Sequence, residues 1–176
     1  MQKHKSIINA HLVILIAVIS LFITSSPTLS KEPKVIGKFG DWQTYVRGEK
    51  KDRFCYIVSK PKKASLRSRR GDIFLMVWHR PATKEFNVVQ VDAGYTYKKK
   101  SEVKLNVGSS EWTLFTRGGN AWALGKDDAA IVKAMRKGMR LTIRGTSSRN
   151  NPTTDTYSLK GVTAAHRAMN KACGRR

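Results

Sequence analysis

Residues 73–78 read Ile-Phe-Leu-Met-Val-Trp, a continuously apolar run that contains branched and aromatic side chains. A run of this length and composition is typical of a strand that is buried on both faces. Comparable runs lie on either side of it, at residues 54–58 (FCYIV) and 86–91 (FNVVQV). Lys60-Pro61 ends the first of these runs. Short apolar runs that are separated by turn signals predict antiparallel strands.

Further short runs extend this pattern in both directions along the chain. Strands are predicted at residues 39–46, 95–97, 102–107, 112–115, 121–124, 141–143 and 156–159. Gly118-Gly119-Asn120 separates two of these runs and favours a tight hairpin. The sequence has neither an internal repeat nor a long linker, so residues 31–176 are expected to form a single β-rich domain.

Two segments have helical periodicity. The first begins at Asp127 or Asp128, whose carboxylates are suited to helix capping, and ends at Gly138. The second covers residues 162–172, where apolar residues recur every three or four positions. About nine strands and two helices predict a mainly β fold, namely an antiparallel β-sandwich or barrel-like domain with two helices, one of them at the C-terminus.

Residues 1–30 have the layout of a secretory signal peptide. Lys3 and Lys5 give a positively charged start, and residues 12–22 (LVILIAVISLF) are apolar except for one serine. Small and polar residues follow, so cleavage is expected between Ser30 and Lys31. The alternative is an uncleaved membrane anchor, although a spanning helix needs about 20 apolar residues. Processing would leave no transmembrane span.

The part of the chain after the signal peptide is strongly basic. The whole sequence carries 34 Lys and Arg against 12 Asp and Glu, which gives a formal net charge of +22. Only two of the basic residues lie in residues 1–30, so the charge belongs to the expected mature domain. A hydrophobic fraction of 40% is enough for a packed core and excludes a wholly disordered basic protein.

Cys55 and Cys173 are the two cysteines of the sequence, and both lie in the part that is expected to be exported. In an oxidising compartment, one even pair predicts one disulfide. The alternative is a metal site that these cysteines form with His79 and His166, but the four residues lack the short spacing of zinc ligands. We therefore expect a disulfide, no metal site and no cofactor.

The sequence carries no recognisable catalytic motif. His79 lies at the end of a predicted strand, and His166 lies on the terminal helix away from its apolar face. The nucleophile-elbow, zinc-protease and phosphate-loop patterns do not occur in the sequence. The one adjacent acidic pair, Asp127-Asp128, is better explained by its position at a helix start. No catalytic residue is assigned, and a non-enzymatic protein is expected.

Clustered positive charge is the strongest functional signal. The segment from Lys60 to Gly71 (KPKKASLRSRRG) is poor in apolar residues and is expected to be a solvated loop or an anion-binding flap. A lysine triplet follows at residues 98–100. The candidate anion-binding residues are Lys60, Lys62, Lys63, Arg67, Arg69, Arg70, Lys98, Lys99 and Lys100.

Such patches attract polyanions. For an exported protein the expected partners are lipopolysaccharide, acidic glycans and other anionic polymers of the envelope or of a host surface. Nucleic acid is not expected, because no nucleic-acid-binding motif is present and the compartment is unsuitable.

A second function is consistent with the same sequence. The chain would then be a periplasmic structural or stress-adaptation protein with unknown protein partners and an incidental basic charge. Salt separates the two functions, because electrostatic binding weakens steeply with ionic strength. The tryptophans do not separate them, because all four lie in predicted strands and are expected in the core: Trp42, Trp78, Trp112 and Trp122.

Several motifs occur in an order that resembles the invasion-associated locus B family of exported bacterial proteins. They are Asp41-Trp42, Cys55-Tyr56, Gly94-Tyr95, Ala121-Trp122-Ala123, residues 134–138 (AMRKG), residues 155–161 (DTYSLKG), Ala164-Ala165 and the terminal Cys173. The most specific motif is DTYSLKG followed by a helix that ends in cysteine. The resemblance covers about residues 39–174. Some relatives have an additional cysteine after the first tryptophan, where this chain has Tyr45 and Val46.

The resemblance implies a small β-rich protein in the periplasm or on the outer surface of a Gram-negative alphaproteobacterium. In some pathogens the family is associated with entry into host cells. It offers no catalytic residues that can be transferred to this chain.

Overall fold

A computed structural model describes residues 32–175, which form eleven β-strands and two α-helices. The strands are β1 (Lys34–Phe39), β2 (Trp42–Arg47), β3 (Phe54–Ser59), β4 (Lys63–Ala64), β5 (Phe74–Arg80), β6 (Glu85–Asp92), β7 (Val103–Val107), β8 (Ser110–Arg117), β9 (Asn120–Trp122), β10 (Arg140–Thr146) and β11 (Pro152–Ser158). The helices are α1 (Asp128–Lys137) and α2 (Val162–Ala172).

All strand pairs are antiparallel and belong to one sheet of order β1-β2-β3-β5-β6-β9-β8-β7-β10-β11-β4, which curls into a half-barrel. The prediction of a mainly β, barrel-like fold with two helices, one at the C-terminus, is confirmed.

Strand β5 contains the apolar run at 73–78 and pairs with β3 and β6. Its side chains alternate: Leu75 and Val77 are fully buried on the inner face, whereas Phe74 and Met76 are half-buried on the outer face. The prediction of a strand that is buried on both faces is therefore only partly right. Neighbouring aromatic side chains on the same face shield the outer residues incompletely.

The core lies between the inner face of the half-barrel and the two helices. Helix α2 packs on β1, β2 and β3, and helix α1 packs on β6. Met135 of α1 and Met169 of α2 are fully buried. Trp42 of β2 is fully buried as well, and its indole N–H donates to the carbonyl of Ser158 at 3.0 Å. This hydrogen bond joins an early strand to the end of β11.

A turn lies within the segment 39–46 that the sequence predicts as one strand. Gly40 and Asp41 form the two-residue connection between β1 and β2. Gly40 has a φ of +58°, and a Cβ at this position would lie 2.5 Å from the carbonyl oxygen of Lys160, so only glycine fits. Asp41 N–H donates to the same oxygen at 3.0 Å. The single-strand prediction is wrong because the apolar alternation continues through the turn.

The predicted strand at 95–97 is also wrong, since only Tyr97 pairs there, in an isolated bridge to Ser147. The four tryptophans divide between the two faces of the sheet. Trp42 is in the core and Trp112 packs against the core, whereas Trp78 and Trp122 lie on the outer face, where Trp78 is still buried. The expectation that all four lie in the core is therefore only partly right.

Cys55 of β3 and Cys173 after α2 form a disulfide that spans 118 residues, with their Cα atoms 6.0 Å apart. This confirms the predicted bridge. Because both sulfur atoms are bonded to each other, the alternative metal site with His79 and His166 is excluded.

The predicted signal peptide, residues 1–30, and its cleavage position between Ser30 and Lys31 lie outside the described residues and stay predictions. Within residues 32–175, neither helix is long and apolar enough to cross a membrane.

Candidate anion-binding cleft

The nine candidate cations do not form one surface. Lys60 Nζ lies 3.3 Å from Asp72, and Lys62 Nζ lies 2.5 Å from Asp41. The hydrogen bond from Lys62 lowers the pKa of Asp41. These two lysines are therefore already paired with carboxylates of the protein.

The segment from Lys60 to Gly71 is more ordered than the sequence suggests. Strand β4 pairs with β11, and Ser65 N–H donates to the carbonyl of Thr154 at 3.0 Å. Residues Arg67–Arg69 form a short 3-10 turn. Residues 63–64 therefore form a strand where the sequence predicts a loop, because backbone pairing to β11 does not depend on the type of side chain.

Arg70 is buried, in contrast to the exposed cations next to it, and its side chain is 2% exposed. Its guanidinium forms a bidentate pair with Asp155, at 2.7 and 2.6 Å, and donates to the carbonyls of Ala93 at 2.8 Å and Ser65 at 3.0 Å. It also lies 4.9 Å from the centre of the Tyr95 ring. Arg70 therefore fastens the segment to β11, and Asp155 neutralises its charge.

A cleft of about 400 Å³ opens beside this ion pair, between the loops at 65–71, 94–98 and 146–151. Gly71 N–H donates to the carbonyl of Gly94 at 2.9 Å, which joins the first two loops. Gly94 has a φ of +66°, and a Cβ there would lie 2.7 Å from the Gly71 oxygen. The close approach of the two loops therefore requires this glycine.

Polar and charged side chains dominate the cleft, notably Arg69, Tyr95, Thr96, Ser148, Arg149 and Asn151. Arg69 and Arg149 come from two different loops, are exposed, and have no acidic partner within residues 32–175. Guanidinium groups bind phosphate, sulfate or carboxylate oxygens through paired N–H groups, and hydroxyl and amide groups add further hydrogen bonds. The cleft therefore fits an anionic group chemically.

The lysine triplet lies next to this cleft. Lys98 N–H donates to the carbonyl of Thr146 at 2.9 Å, so its loop is held against the segment that carries Arg149. Lys98, Lys99 and Lys100 are all exposed. The fold thus brings Arg69, Arg70 and the triplet to neighbouring loops. Lys60, Lys62 and Lys63 do not line the cleft, and Arg67 instead donates to the carbonyl of Gly71 at 3.0 Å.

Sequence reasoning does not find Arg149, Thr96, Ser148 or Asn151. Arg149 stands alone among polar residues, so no cluster of basic residues indicates a binding site there. The available signal is the turn-rich run SSRNNP at residues 147–152, which predicts a loop after the strand at 141–143 but no ligand.

The two histidines form a buried pair against helix α2. His79 Nε2 lies 2.8 Å from Asn170 Oδ1, and its Nδ1 accepts the backbone N–H of Asn87 at 2.9 Å. His166 Nε2 lies 2.9 Å from Asn87 Oδ1. Burial lowers the pKa of both histidines, that of His166 to about 4. These side chains link β5, β6 and α2. The prediction that His166 lies away from the buried face of the helix is therefore wrong.

Asp128 does not form the predicted cap, and Asp127, at the N-cap position, makes no side-chain capping bond. Asp128 Oδ1 instead accepts the backbone N–H of Val89 at 2.9 Å. The Val89 carbonyl accepts the N–H of Ala123, the residue after β9. Where β9 ends, the Asp128 carboxylate therefore takes its place as the partner of the β6 backbone. Burial raises the pKa of Asp128 to about 6.

These features define a class of protein, a basic β half-barrel in which one disulfide ties an early strand to the C-terminal helix. The family model that describes the Invasion associated locus B (IalB) protein matches residues 42–170. The chain therefore belongs to the IalB family, and the resemblance drawn from its motifs is confirmed.

A solved structure shows the same fold. Invasion associated protein b from Bartonella henselae aligns with 82% of this chain and 97% of its own, with a TM-score of 0.56 and 18% sequence identity. At this identity the likeness shows the fold alone. No curated protein matches the sequence.

Proposed function

We propose that this chain is an exported, non-enzymatic envelope protein that binds anionic groups of surface polymers in the cleft. Lipopolysaccharide phosphates and the charged groups of acidic glycans have the required chemistry. The observation that carries the proposal is the presence of Arg69 and Arg149, two guanidinium groups without acidic partners in the described chain, beside free hydroxyl and amide donors. The expected location is the periplasm or the outer surface of a Gram-negative cell, as the signal-peptide pattern indicates.

The charged residues have different roles in this proposal. Arg69 and Arg149 contact the anion, and Arg70 positions the loop that carries Arg69. The exposed lysines at 98–100, together with the excess of basic residues in residues 31–176 (32 Lys and Arg against 12 Asp and Glu), attract polyanions over a longer range. Lys60 and Lys62 contribute less, because Asp72 and Asp41 already neutralise them.

The test is the retention of the purified protein on heparin and lipopolysaccharide matrices as the salt concentration rises. Arg69→Gln combined with Arg149→Gln should weaken binding about tenfold at low salt and flatten its salt dependence. Lys133→Gln combined with Lys137→Gln is the matched control, since it removes the same charge from exposed positions of α1.

Equal retention of the two double variants would show that the cleft is not the binding site. Retention that changes neither with salt nor with the cleft variant would favour the envelope structural protein with incidental basic charge.

A further inference from the structure

A groove on the outer face of the sheet differs in chemistry from the cleft. It lies where β5, β6, β8 and β9 meet and has a volume of about 580 Å³. Four aromatic side chains line it: Trp78, Phe86, Phe115 and Trp122. Small-ligand sites are typically about 300–1,000 Å³ and combine aromatic walls with a few polar groups. We call this depression the outer-face groove.

One aromatic residue of β8 and one of β9 form a pair that is not part of the hydrophobic core. Phe115 and Trp122 are cross-strand neighbours on the outer face, with ring centres 5.7 Å apart, and Phe115 is 50% exposed. Aromatic side chains bury large areas favourably when a partner covers them. A half-exposed aromatic pair in a concave site therefore indicates a surface that another molecule covers.

The hydrogen bonds around the groove leave one indole free. Trp78 Nε1–H donates to Gln90 Oε1 at 3.2 Å, and Gln90 Nε2 donates to Asn120 Oδ1 at 2.9 Å. These bonds fix the side chains between the two tryptophans. In the part of the chain that the structure describes, the indole N–H of Trp122 has no partner and remains available as a donor.

Acceptors and donors are both present beside the rings. Asp128 lines the groove, and its carboxylate makes one hydrogen bond among the described residues, from the backbone of Val89 to Oδ1. The second carboxylate oxygen is therefore an available acceptor. Lys84 and Arg117 lie at the same groove and have no acidic partner in residues 32–175.

We infer that the outer-face groove binds a pyranose ring of an oligosaccharide. The apolar C–H face of such a ring packs on the aromatic side chains, and its hydroxyls donate to Asp128 and accept from Trp122, Lys84 or Arg117. Lys84 and Arg117 are balanced by the carboxylates of Glu85 and Asp128, so the groove carries no excess of one charge that would favour an ionic ligand over a neutral one. A purely apolar ligand would bury Asp128 and the Trp122 indole N–H without hydrogen-bond partners, which is costly.

This inference does not depend on the proposed function, since the outer-face groove and the cleft share no lining residue. Binding in the groove rests on packing and on hydrogen bonds to uncharged sugar hydroxyls, so it should persist at high salt. Binding in the cleft rests on charge and should be lost there.

The experiment is titration of the purified protein with neutral hexasaccharides from chitin, cellulose and starch and with acidic ones from polygalacturonate and heparin. It is carried out at high salt, where charge-dependent binding of the acidic sugars in the cleft should be lost, and is followed by tryptophan fluorescence and calorimetry. At least one sugar should bind saturably at millimolar concentrations, and the neutral and acidic arms identify its class. Trp122→Ala should weaken binding about tenfold. Asp128→Asn keeps an acceptor for Val89 and should weaken binding as well.

Tyr45→Ala is the matched control, because Tyr45 lies on the outer face but outside the groove. This variant and the cleft double variant at Arg69 and Arg149 should bind as the wild type does. If Trp122→Ala has an altered circular dichroism spectrum, Phe115→Ala replaces it.

The inference is overturned if no member of the panel binds saturably. It is also overturned if binding survives the Trp122 or Phe115 substitution, or if the cleft variant abolishes it.

Discussion

Replacing Arg70 should destabilise the protein far more than replacing the exposed cations beside it. The side chains of Arg70 and Asp155 are 2% and 3% exposed. Arg70→Met removes their bidentate pair as well as the hydrogen bonds to the carbonyls of Ala93 and Ser65. It leaves the Asp155 carboxylate buried without a counter-charge. Breaking a buried ion pair in this way costs about 3–5 kcal/mol, a large share of the ~5–15 kcal/mol by which domains are stable.

Urea unfolding followed by circular dichroism gives the free energy of unfolding for each variant. Asp155→Leu should lower the free energy of unfolding as much as Arg70→Met does, because it leaves the Arg70 guanidinium buried without a counter-charge. The double variant removes both charges, so it should be more stable than the sum of the two single losses implies. Arg69→Gln is the control, since Arg69 is exposed, and should change stability by about 0.5 kcal/mol or less. The reasoning is refuted if Arg70→Met costs no more than Arg69→Gln, or if the two single losses simply add.

Acid should destabilise the fold through His166, whose pKa burial lowers from 6.5 to about 4. As the pH falls below 6.5, His166 takes up a proton in the unfolded protein before it does so in the folded protein. The folded state is therefore fully stabilised above pH 6.5 and loses about 3 kcal/mol as the pH falls toward 4. Burial raises the pKa of Asp128 to about 6, so this group acts in the opposite direction. The free energy of unfolding should therefore be measured for the wild type and for His166→Gln between pH 7 and pH 4. If the two proteins lose stability equally over this range, the prediction is contradicted. Cys173→Ser should lower Tm in calorimetry, since a loop of 118 residues corresponds to about 4–5 kcal/mol, and an unchanged Tm would count against the bridge's role. Mass spectrometry of the protein recovered from the envelope should show an N-terminus near Lys31, whereas a chain that still begins at Met1 would disprove cleavage.

Local periodicity predicts most of the strands and both helices, because the buried face of each element repeats in the sequence. It fails where a turn does not interrupt that repeat. At Gly40 and Asp41 the apolar alternation passes through the connection, so β1 and β2 look like one strand. The turn depends on contact with Lys160, which lies far away in the sequence.

The candidate site is less predictable than the fold, because contacts across the sequence determine it. Arg70 stands in a row of basic residues and looks like the others, yet Asp155, 85 positions away, makes it a buried structural residue. Arg149 looks isolated, yet the fold places it with Arg69 in one cleft. Charge clustering identifies the basic character of the surface but not which cations are free.

Helix α2 follows every strand of the described chain, yet it covers the first three of them. Thr44 of β2 donates to the carbonyl of Ala165 at 3.2 Å, and Arg53 donates to the carbonyl of Ala172 at 3.2 Å. Synthesis on the ribosome delivers β1–β3 before α2. The inner face of those strands therefore stays uncovered until α2 has been synthesised, and the native core cannot close before then. A premature stop before residue 162 would remove every one of these contacts and would leave the inner face of the early strands without its covering helix.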